Sequence, residues 1–419
     1  DVSGAQLNAF IGPGATQFSQ SVRAYDLHGR ASLGAGSLAA DVAVSNNSVD
    51  YTGGANSLYD VSHQDKRNTV SLSWGRTFER SEFAFGGYAR NESLTENGVD
   101  GVQSQRIASW FVRGAAQPSS RLRLNGAAYL SNYTSFGSSL DARFGVSYDL
   151  DDSSALRFSV GTGFRAPLLI ERYVFPASAL PPPNVDCVIV GQGNPNEKPE
   201  HATEYELGYG RKLSAVSNLD VSAYRTNLRD PIENFYPGNS CGGPPAFSYP
   251  INIANVVYEG GAIRFVQRFD AVTLNAQYGL NIAYPYNFPG TISNPTSGAF
   301  LVNSQQFIGI PQQVGSLGLD WHRGDWHGAF DVVFRGRNNE LNQGSYTLMN
   351  TGIGKRFGKA DLTFAVANLG NDVSGRFTAV GQGVPYLGNA PGSAAPVPIA
   401  TNRYFVEPRS FRLIFTFRN

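Results

Sequence analysis

The sequence predicts an all-β fold, and within that class a transmembrane antiparallel β-barrel, from three observations. Charged residues make up only 16% of the 419 residues, whereas aromatic residues reach 12% and glycine occurs 47 times. Apolar and polar side chains alternate along many segments, which is the pattern of a strand with two different faces. Short and long connections alternate between these segments, as in membrane barrels with tight periplasmic turns and long outer loops.

Composition argues against most other classes of protein. Lys plus Arg and Asp plus Glu both number 33, so the chain lacks the basic excess that is typical of nucleic-acid binding. No apolar run approaches the ~18 residues of a transmembrane helix, and the aromatic content is too high for a disordered chain. A soluble β-sandwich would share the strand pattern, but it gives no reason for short and long connections to alternate.

The predicted strands present an apolar face to lipid and a polar face to a wide, hydrated lumen. We expect about eighteen such segments of roughly ten residues, the span of a tilted strand, beginning at about residues 4–11. The last segment shows the alternation most clearly, and a charge on its lipid face near the midplane would cost ~2–4 kcal/mol. Its outward side chains are therefore expected to be Phe411, Leu413, Phe415 and Phe417, and its inward ones Arg412 and Thr416.

The connections predict which strand ends meet at the same rim of the barrel. Longer connections, among them 51–67, alternate with short polar turns. The short turns are expected on one rim, near residues 118, 152, 216, 323 and 358. The longest connections are expected on the opposite rim, at 166–201, 230–250 and 287–311.

Four motifs in the second part of the chain resemble those of TonB-dependent outer-membrane receptors. They lie at 164–167, at 193–200 with its continuation 203–208, at 366–371 and at 408–413. The positions that carry the resemblance most specifically are Phe164, Arg165, Pro167, Asn194, Pro195, Asn196, Pro199, Glu200, Tyr205 and Glu206. Two places depart from the family pattern: Gly370 stands where an aromatic residue is usual, and Phe417 is followed by two further residues.

The resemblance implies a barrel of 22 strands with a plug domain inside it. Residues 1–419 then form one outer-membrane β-barrel domain, which we expect to be N-terminally incomplete, without the plug and about four strands. Such a chain is not expected to transport by itself, because unpaired strand edges are costly in lipid.

The resemblance also implies the function and its partners. A receptor of this kind is an integral protein of the bacterial outer membrane and actively takes up a large scarce nutrient, such as a metal-siderophore or cobalamin. Its partners would be outer-membrane lipid, the nutrient and, through the plug, the TonB energy-transducing complex; a monomer without cofactor or nucleic acid is expected. The alternative is a passive diffusion porin of 16–18 strands.

Two sequence patterns resemble enzyme motifs but lack the context that the chemistry needs. Residues 161–166 match G-x-G-x-x-A, yet Pro167 and the loop after it predict no helix whose N-terminus could bind a pyrophosphate. Residues 238–242 match G-x-S-x-G, but they lie within a loop and not between a strand and a helix. The five histidines show no spacing typical of a metal site. We therefore expect no catalytic residue, no metal ligand and no enzymatic activity.

The long loops contain the candidate ligand contacts. A bulky amphipathic ligand is bound by aromatic faces together with a few polar groups. Aromatic side chains at the level of the lipid headgroups are the alternative explanation of the same composition. The candidates are Arg172, Tyr173, Phe175, Phe235, Tyr236, Phe247 and Tyr249.

The chain contains two cysteines, which lie in neighbouring long loops. Cys187 precedes the strand predicted at about 203–213, and Cys241 follows the next strand. Both loops are expected on the outer rim, which faces an oxidising exterior. We predict a Cys187–Cys241 disulfide that restricts both loops; two free thiols are the alternative.

Overall fold

The computed structural model describes most of the chain, in thirteen stretches. These are residues 17–52, 61–96, 101–173, 178–179, 188–191, 193–235, 246–252, 255–287, 304, 306, 310–337, 345–371 and 408–417. Within them lie 21 strands and the five-residue helix α1 (Leu169–Tyr173). No helix in this part of the chain is long and apolar enough to cross a membrane.

The strands follow one another along the chain from Gln17 to Phe417. They are β1 (Gln17–Leu33), β2 (Gly36–Thr52), β3 (Val61–Thr77), β4 (Ser81–Glu96), β5 (Gln103–Ser119), β6 (Leu122–Tyr133), β7 (Gly137–Asp149), β8 (Ser154–Arg165), β9 (Ser178–Ala179), β10 (Val188–Gly191), β11 (Glu200–Ser214), β12 (Ser217–Arg229), β13 (Ile232–Phe235), β14 (Ala246–Asn252), β15 (Asn255–Arg268), β16 (Val272–Tyr286), β17 (Gln313–Arg323), β18 (Trp326–Arg335), β19 (Tyr346–Phe357), β20 (Ala360–Ala367) and β21 (Ser410–Phe417).

Seventeen of these strands form one antiparallel sheet, which confirms the predicted fold class. Each strand pairs with the next along the chain, except that β8 pairs with β11 and β12 pairs with β15. Among the described residues, β1 pairs only with β2 and β21 only with β20. The expected first segment, at about residues 4–11, lies outside the described residues.

The antiparallel pairing places eight short turns at one rim, which we call the turn rim, whereas the three-residue connection 134–136 between β6 and β7 lies at the opposite rim. Two to four residues join the strands at the turn rim, for example 150–153 between β7 and β8 and 324–325 between β17 and β18. The chain leaves β8, β12 and β16 at the opposite rim, which we call the loop rim. The predicted orientation of turns and long connections is therefore confirmed.

The first five strands are longer than the sequence analysis predicts. Strands β1 to β5 have 16 or 17 residues each, and β3 already begins at Val61. The predicted connection 51–67 was therefore wrong, since its last seven residues belong to β3. The physical reason is that Asn68 and Lys66 lie on the same face as Val70. Main-chain pairing continues there after the apolar alternation has ended.

The two faces of the sheet differ in chemistry as predicted. A row of apolar or small residues crosses five strands on one face, and its large members are about half exposed or more. The row consists of Leu72, Gly87, Trp110, Leu130 and Leu140, each opposite the next. The other face contains ion pairs, among them the guanidinium of Arg157 with the carboxylate of Asp220 at 2.5 Å. In a membrane barrel the apolar face meets lipid and the charged face meets the lumen.

The last strand follows this assignment. Leu413 lies opposite Phe364, and the ring of Phe364 stacks on that of Phe411. Thr416 lies opposite Asp361, whose carboxylate binds the ring of His327 at 3.0 Å. The predicted outward and inward faces of this strand are therefore confirmed.

A second, small sheet lies at the loop rim and was not predicted. It contains β9, β10, β13 and β14, and β10 pairs with β14 in parallel. This pairing joins the connection after β8 to the connection after β12 by main-chain hydrogen bonds. Helix α1, which follows β8 directly, was also missed.

Candidate functional site

An arginine at the end of β8 holds two glutamates at the loop rim. Arg165 Nη1 donates to Glu171 Oε1 at 2.9 Å, and Arg165 Nη2 donates to Glu200 Oε1 at 2.7 Å. The fold brings them together because Glu171 lies in α1 and Glu200 is paired with Arg165 across β8 and β11. We call Arg165, Glu171, Arg172, Glu197 and Glu200 the rim cluster.

Both glutamates also hold the main chain. Glu171 Oε2 accepts a hydrogen bond from the Leu168 amide at 2.7 Å, which fixes the start of α1. Glu200 Oε1 accepts one from the Ile232 amide at 2.7 Å, at the start of β13. Charge-assisted hydrogen bonds of this kind are among the stronger ones in proteins. Arg165 thus connects β8, α1, β11 and β13.

The motif at 193–200 closes against α1 and β14. The Asn194 amide donates to the Glu171 carbonyl at 3.1 Å, and Asn194 Nδ2 donates to the Pro250 carbonyl at 2.8 Å. At Gly193 a Cβ atom would lie 2.5 Å from the carbonyl oxygen of Arg172, so only glycine fits this close approach. These residues act as a clamp on the main chain.

A second amide side chain completes the clamp. Asn252 Oδ1 accepts the amide hydrogen of Lys198 at 2.7 Å, and Asn252 Nδ2 donates to the carbonyls of Lys198 and Asp230, both at 2.8 Å. Sequence analysis missed Asn252, because its partners are remote in the chain and no motif surrounds it.

A buried carboxylate lies at the centre of this arrangement. Glu197 is 4% exposed, and neither of its carboxylate oxygens has a hydrogen-bond partner among the described residues. Burial, and after it the negative charge of Glu171, raise the pKa of Glu197 to about 7, although Arg165 and Arg172 act in the opposite direction. Glu197 lies within the motif at 193–200, but nothing in the sequence marks it as buried.

Aromatic contacts surround the cluster on the side of β6 to β8. The guanidinium of Arg172 lies 4.8 Å from the ring centre of Phe136 and 5.2 Å from that of Tyr173, and it donates to the Pro195 carbonyl at 2.9 Å.

Motif residues of β8 and the segment after it are packed as well. The ring of Phe164 packs against Tyr133 and His201. Pro167 is fully buried, and Leu169 packs with Leu94. Most motif residues thus stabilise the loop rim.

The structure describes the side chains of only some of the candidate ligand contacts. Arg172 and Tyr173 are neighbours in α1. Phe235 pairs with Tyr249 between β13 and β14, and Phe247 pairs with Val190 of β10. The side chains of Phe235, Phe247 and Tyr249 lie outside the described part of the chain, and so do Phe175, Tyr236, Cys187 and Cys241. Ligand contact by these residues and the disulfide stay predictions.

The remaining family-motif positions lie along β11. Tyr205 is 44% exposed on the apolar face, opposite Val160, and Glu206 belongs to the polar face, opposite Tyr224. In the described part of the chain, no group of three or more His, Cys, Asp or Glu side chains could hold a metal ion.

The polar face also contains a cavity near the turn rim. It has a volume of about 730 Å³ and is lined by exposed ion pairs, Arg123 with Asp149 at 2.7 Å and Arg157 with Asp220. Asp151 at its edge accepts hydrogen bonds from Ser153, which lower the pKa of this carboxyl to about 2. The Asp151 carboxyl therefore keeps its negative charge at neutral pH.

A single sheet with one lipid-compatible face, one charged face and most of its short turns at one rim is typical of an outer-membrane β-barrel. The chain belongs to the TonB-dependent receptor family, since the family model described as "TonB dependent receptor-like, beta-barrel" matches residues 5–369. It is therefore a non-enzymatic protein of the outer membrane.

Individual relatives come from several bacteria. The "Iron-regulated outer membrane virulence protein" of Vibrio cholerae is 24% identical over 294 residues, which are 64% of this chain and 42% of that protein. The chain thus spans less than half the length of this curated relative. The ferric enterobactin receptor PfeA of Pseudomonas aeruginosa superposes with a TM-score of 0.71 at 14% identity, over 96% of this chain and 62% of that one. The siderophore receptor PirA of the same organism gives 0.69 at 12% identity, over 85% and 61%.

Proposed function

We propose that this chain is the barrel part of a receptor that takes up a ferric siderophore across the outer membrane with energy from TonB. The observation that carries the proposal is the similarity over 294 residues to an iron-regulated outer-membrane protein. The two structural relatives named above support the choice of ligand class, because one is a ferric enterobactin receptor and the other a siderophore receptor.

The loop rim supports the recognition of a large ligand. Arg165 and its partner Glu200 fix the starts of two long connections, and the pairing of β10 with β14 joins those connections to each other. A binding surface built on such supports loses little conformational entropy when the ligand arrives. Arg172 and Tyr173, which the cluster holds in α1, are the described candidates for ligand contact.

The test is uptake of iron by the full-length receptor in a bacterium that lacks its own siderophore receptors. We expect uptake of a ⁵⁵Fe-loaded catecholate or hydroxamate siderophore, and we expect it to stop when TonB is deleted. Radiolabelled cobalamin under the same conditions tests the other nutrient class. Uptake of cobalamin alone would contradict the siderophore assignment.

A passive porin would behave differently in the same cells. Its flux would continue without TonB and without a proton-motive force, and it would rise linearly with concentration for any small solute. Membership of the receptor family weighs against this alternative. TonB-independent entry of small sugars, with no saturable uptake of ferric siderophore, would favour the porin.

A further inference from the structure

The lipid-facing side of β2 to β6 is not uniformly filled. Two grooves lie one above the other on this face: a lower one of about 710 Å³ toward the turn rim and an upper one of about 520 Å³ toward the loop rim. They share Val70, Ala89 and Ala108, so they form one continuous furrow that runs along the strands. The lower groove exposes almost exclusively apolar atoms, and Trp74 and Trp110 form its sides.

Small residues form the floor of this furrow. All three of these small residues point outward. Gly87 lies opposite the outward Leu72, Ala89 lies opposite Val70, and Ala108 lies opposite Ala89. A Cβ atom at Gly87 would lie 2.7 Å from the Ser109 carbonyl oxygen and equally near the ring of Trp110. The depression is therefore built into the sheet, because a larger residue at this position would collide with the neighbouring strand.

The furrow ends toward the loop rim at two basic side chains. Arg106 lines the upper groove and points outward, opposite Asn91. Lys66 is exposed on the same face of β3, two residues beyond Asn68. Neither makes an ion pair with a described residue. The nearest acidic residue on this face among the described residues of β2 to β6 is Asp50, which lies opposite Ser62, four residues from Lys66 toward the loop rim. This end of the furrow therefore has a positive charge at the outer edge of the apolar band.

We propose that this furrow binds one phosphorylated acyl lipid of the outer leaflet. An acyl chain lies along Ala108, Ala89 and Val70, and the phosphate is held by Arg106 and Lys66. From Trp74 to Asn68 the furrow covers seven residues, and the six steps between them span about 20 Å along the strand at ~3.3 Å per residue. The apolar floor of the furrow thus suits an acyl chain, and the positive charge at its end toward the loop rim suits an anionic headgroup.

The probe for this site is bis-phosphorylated lipid A, added to the full-length receptor in mild detergent. Native mass spectrometry counts the lipid molecules bound during a titration. We expect one tightly bound lipid. Ala108→Leu should weaken its binding by roughly tenfold, as expected if about two methylene groups leave the furrow.

The double variant Lys66→Gln with Arg106→Gln tests the headgroup. Each basic side chain near an anionic headgroup contributes about fivefold in affinity, so we expect a loss of roughly twenty- to thirtyfold. Phosphatidylcholine, which has no net charge, should bind the wild type and the double variant equally weakly.

Two matched variants serve as controls. Ala142→Leu adds the same side chain to an exposed position of the same face outside the furrow. Arg225→Gln removes an outward arginine that is already paired with Glu259 at 3.0 Å. Both should retain the wild-type affinity for lipid A. The proposal would be overturned if all four variants kept the wild-type affinity for lipid A. It would also be overturned if the receptor formed a dimer and the substitutions in the furrow abolished that dimer.

Discussion

Strand β8 contains an arginine near each end, and the two differ in what surrounds them. Both point to the polar face. At the turn rim, Arg157 binds Asp220 two strands away, and both side chains of this pair are 45% exposed. At the loop rim, Arg165 binds Glu171 and Glu200, which are 21% and 13% exposed and each also accept a main-chain amide hydrogen. One arginine lines a wet lumen, whereas the other organises the irregular segments of the receptor mouth.

The difference shows how one residue type serves two tasks in a barrel. An exposed pair contributes ~0–1 kcal/mol, because water competes for both charges. A half-buried arginine with two hydrogen-bonded carboxylates is different, since its removal leaves both glutamates without compensation. The comparison predicts large effects at the loop rim and small ones at the turn rim.

Replacement of Arg165 should have the largest effect. We expect Arg165→Gln to lower the local free energy of opening at the starts of α1 and β13 by about 2–3 kcal/mol, because Glu171 and Glu200 then repel each other. Hydrogen exchange of the Leu168 and Ile232 amides in the purified receptor measures it. Uptake of the siderophore should fall in parallel, and unchanged protection of both amides would contradict the structural role of Arg165.

Gly193 tests the clamp independently of charge. Gly193→Ala places a Cβ atom 2.5 Å from the Arg172 carbonyl oxygen, so α1 or the motif must move. We expect a loss of about 2 kcal/mol in the same exchange experiment, of the order seen for overpacked sites. Gly163→Ala is the control, because its Cβ atom would only contact the Ala202 side chain at 3.8 Å. Equal effects of the two substitutions would argue against the clamp.

The pH dependence of the loop rim should come from Glu197. Its folded-state pKa of about 7 is above the ordinary value of 4.5, so the folded segment keeps a proton that the opened segment releases. Stability therefore falls as the pH rises from below 5 through 7, by about 1 kcal/mol between pH 6 and pH 8. Opening free energies from hydrogen exchange at several pH values, corrected for the intrinsic exchange rate, measure this. Glu197→Gln should remove the dependence, and a dependence that persists in this variant must have another origin.

The sequence predicted the sheet, its two faces and the rims, because lipid imposes a period of two on every spanning strand. The prediction failed at 61–67, where β3 continues beyond the apolar band, so that apolar and polar side chains no longer alternate there. The motif identified Arg165 and Glu200, since both adjoin regular strands. Asn252 binds Lys198, which is 54 residues away, and the charges that act on Glu197 include Arg165 and Glu171 from β8 and α1. No local sequence pattern contains these contacts.

The smallest effect is expected at the turn rim, where it completes the comparison along β8. Arg157→Gln should change the stability of the receptor by less than about 1 kcal/mol, because Arg157 and Asp220 are both half exposed. A double-mutant cycle with Asp220→Asn isolates the pair, and its coupling energy should shrink further in 0.5 M salt, since exposed charges are screened. Thermal unfolding of the four proteins at low and high salt measures this. A coupling energy as large as the loss at Arg165, or one that salt leaves unchanged, would mean that the lumen shields this pair from water and that the two ends of β8 are alike.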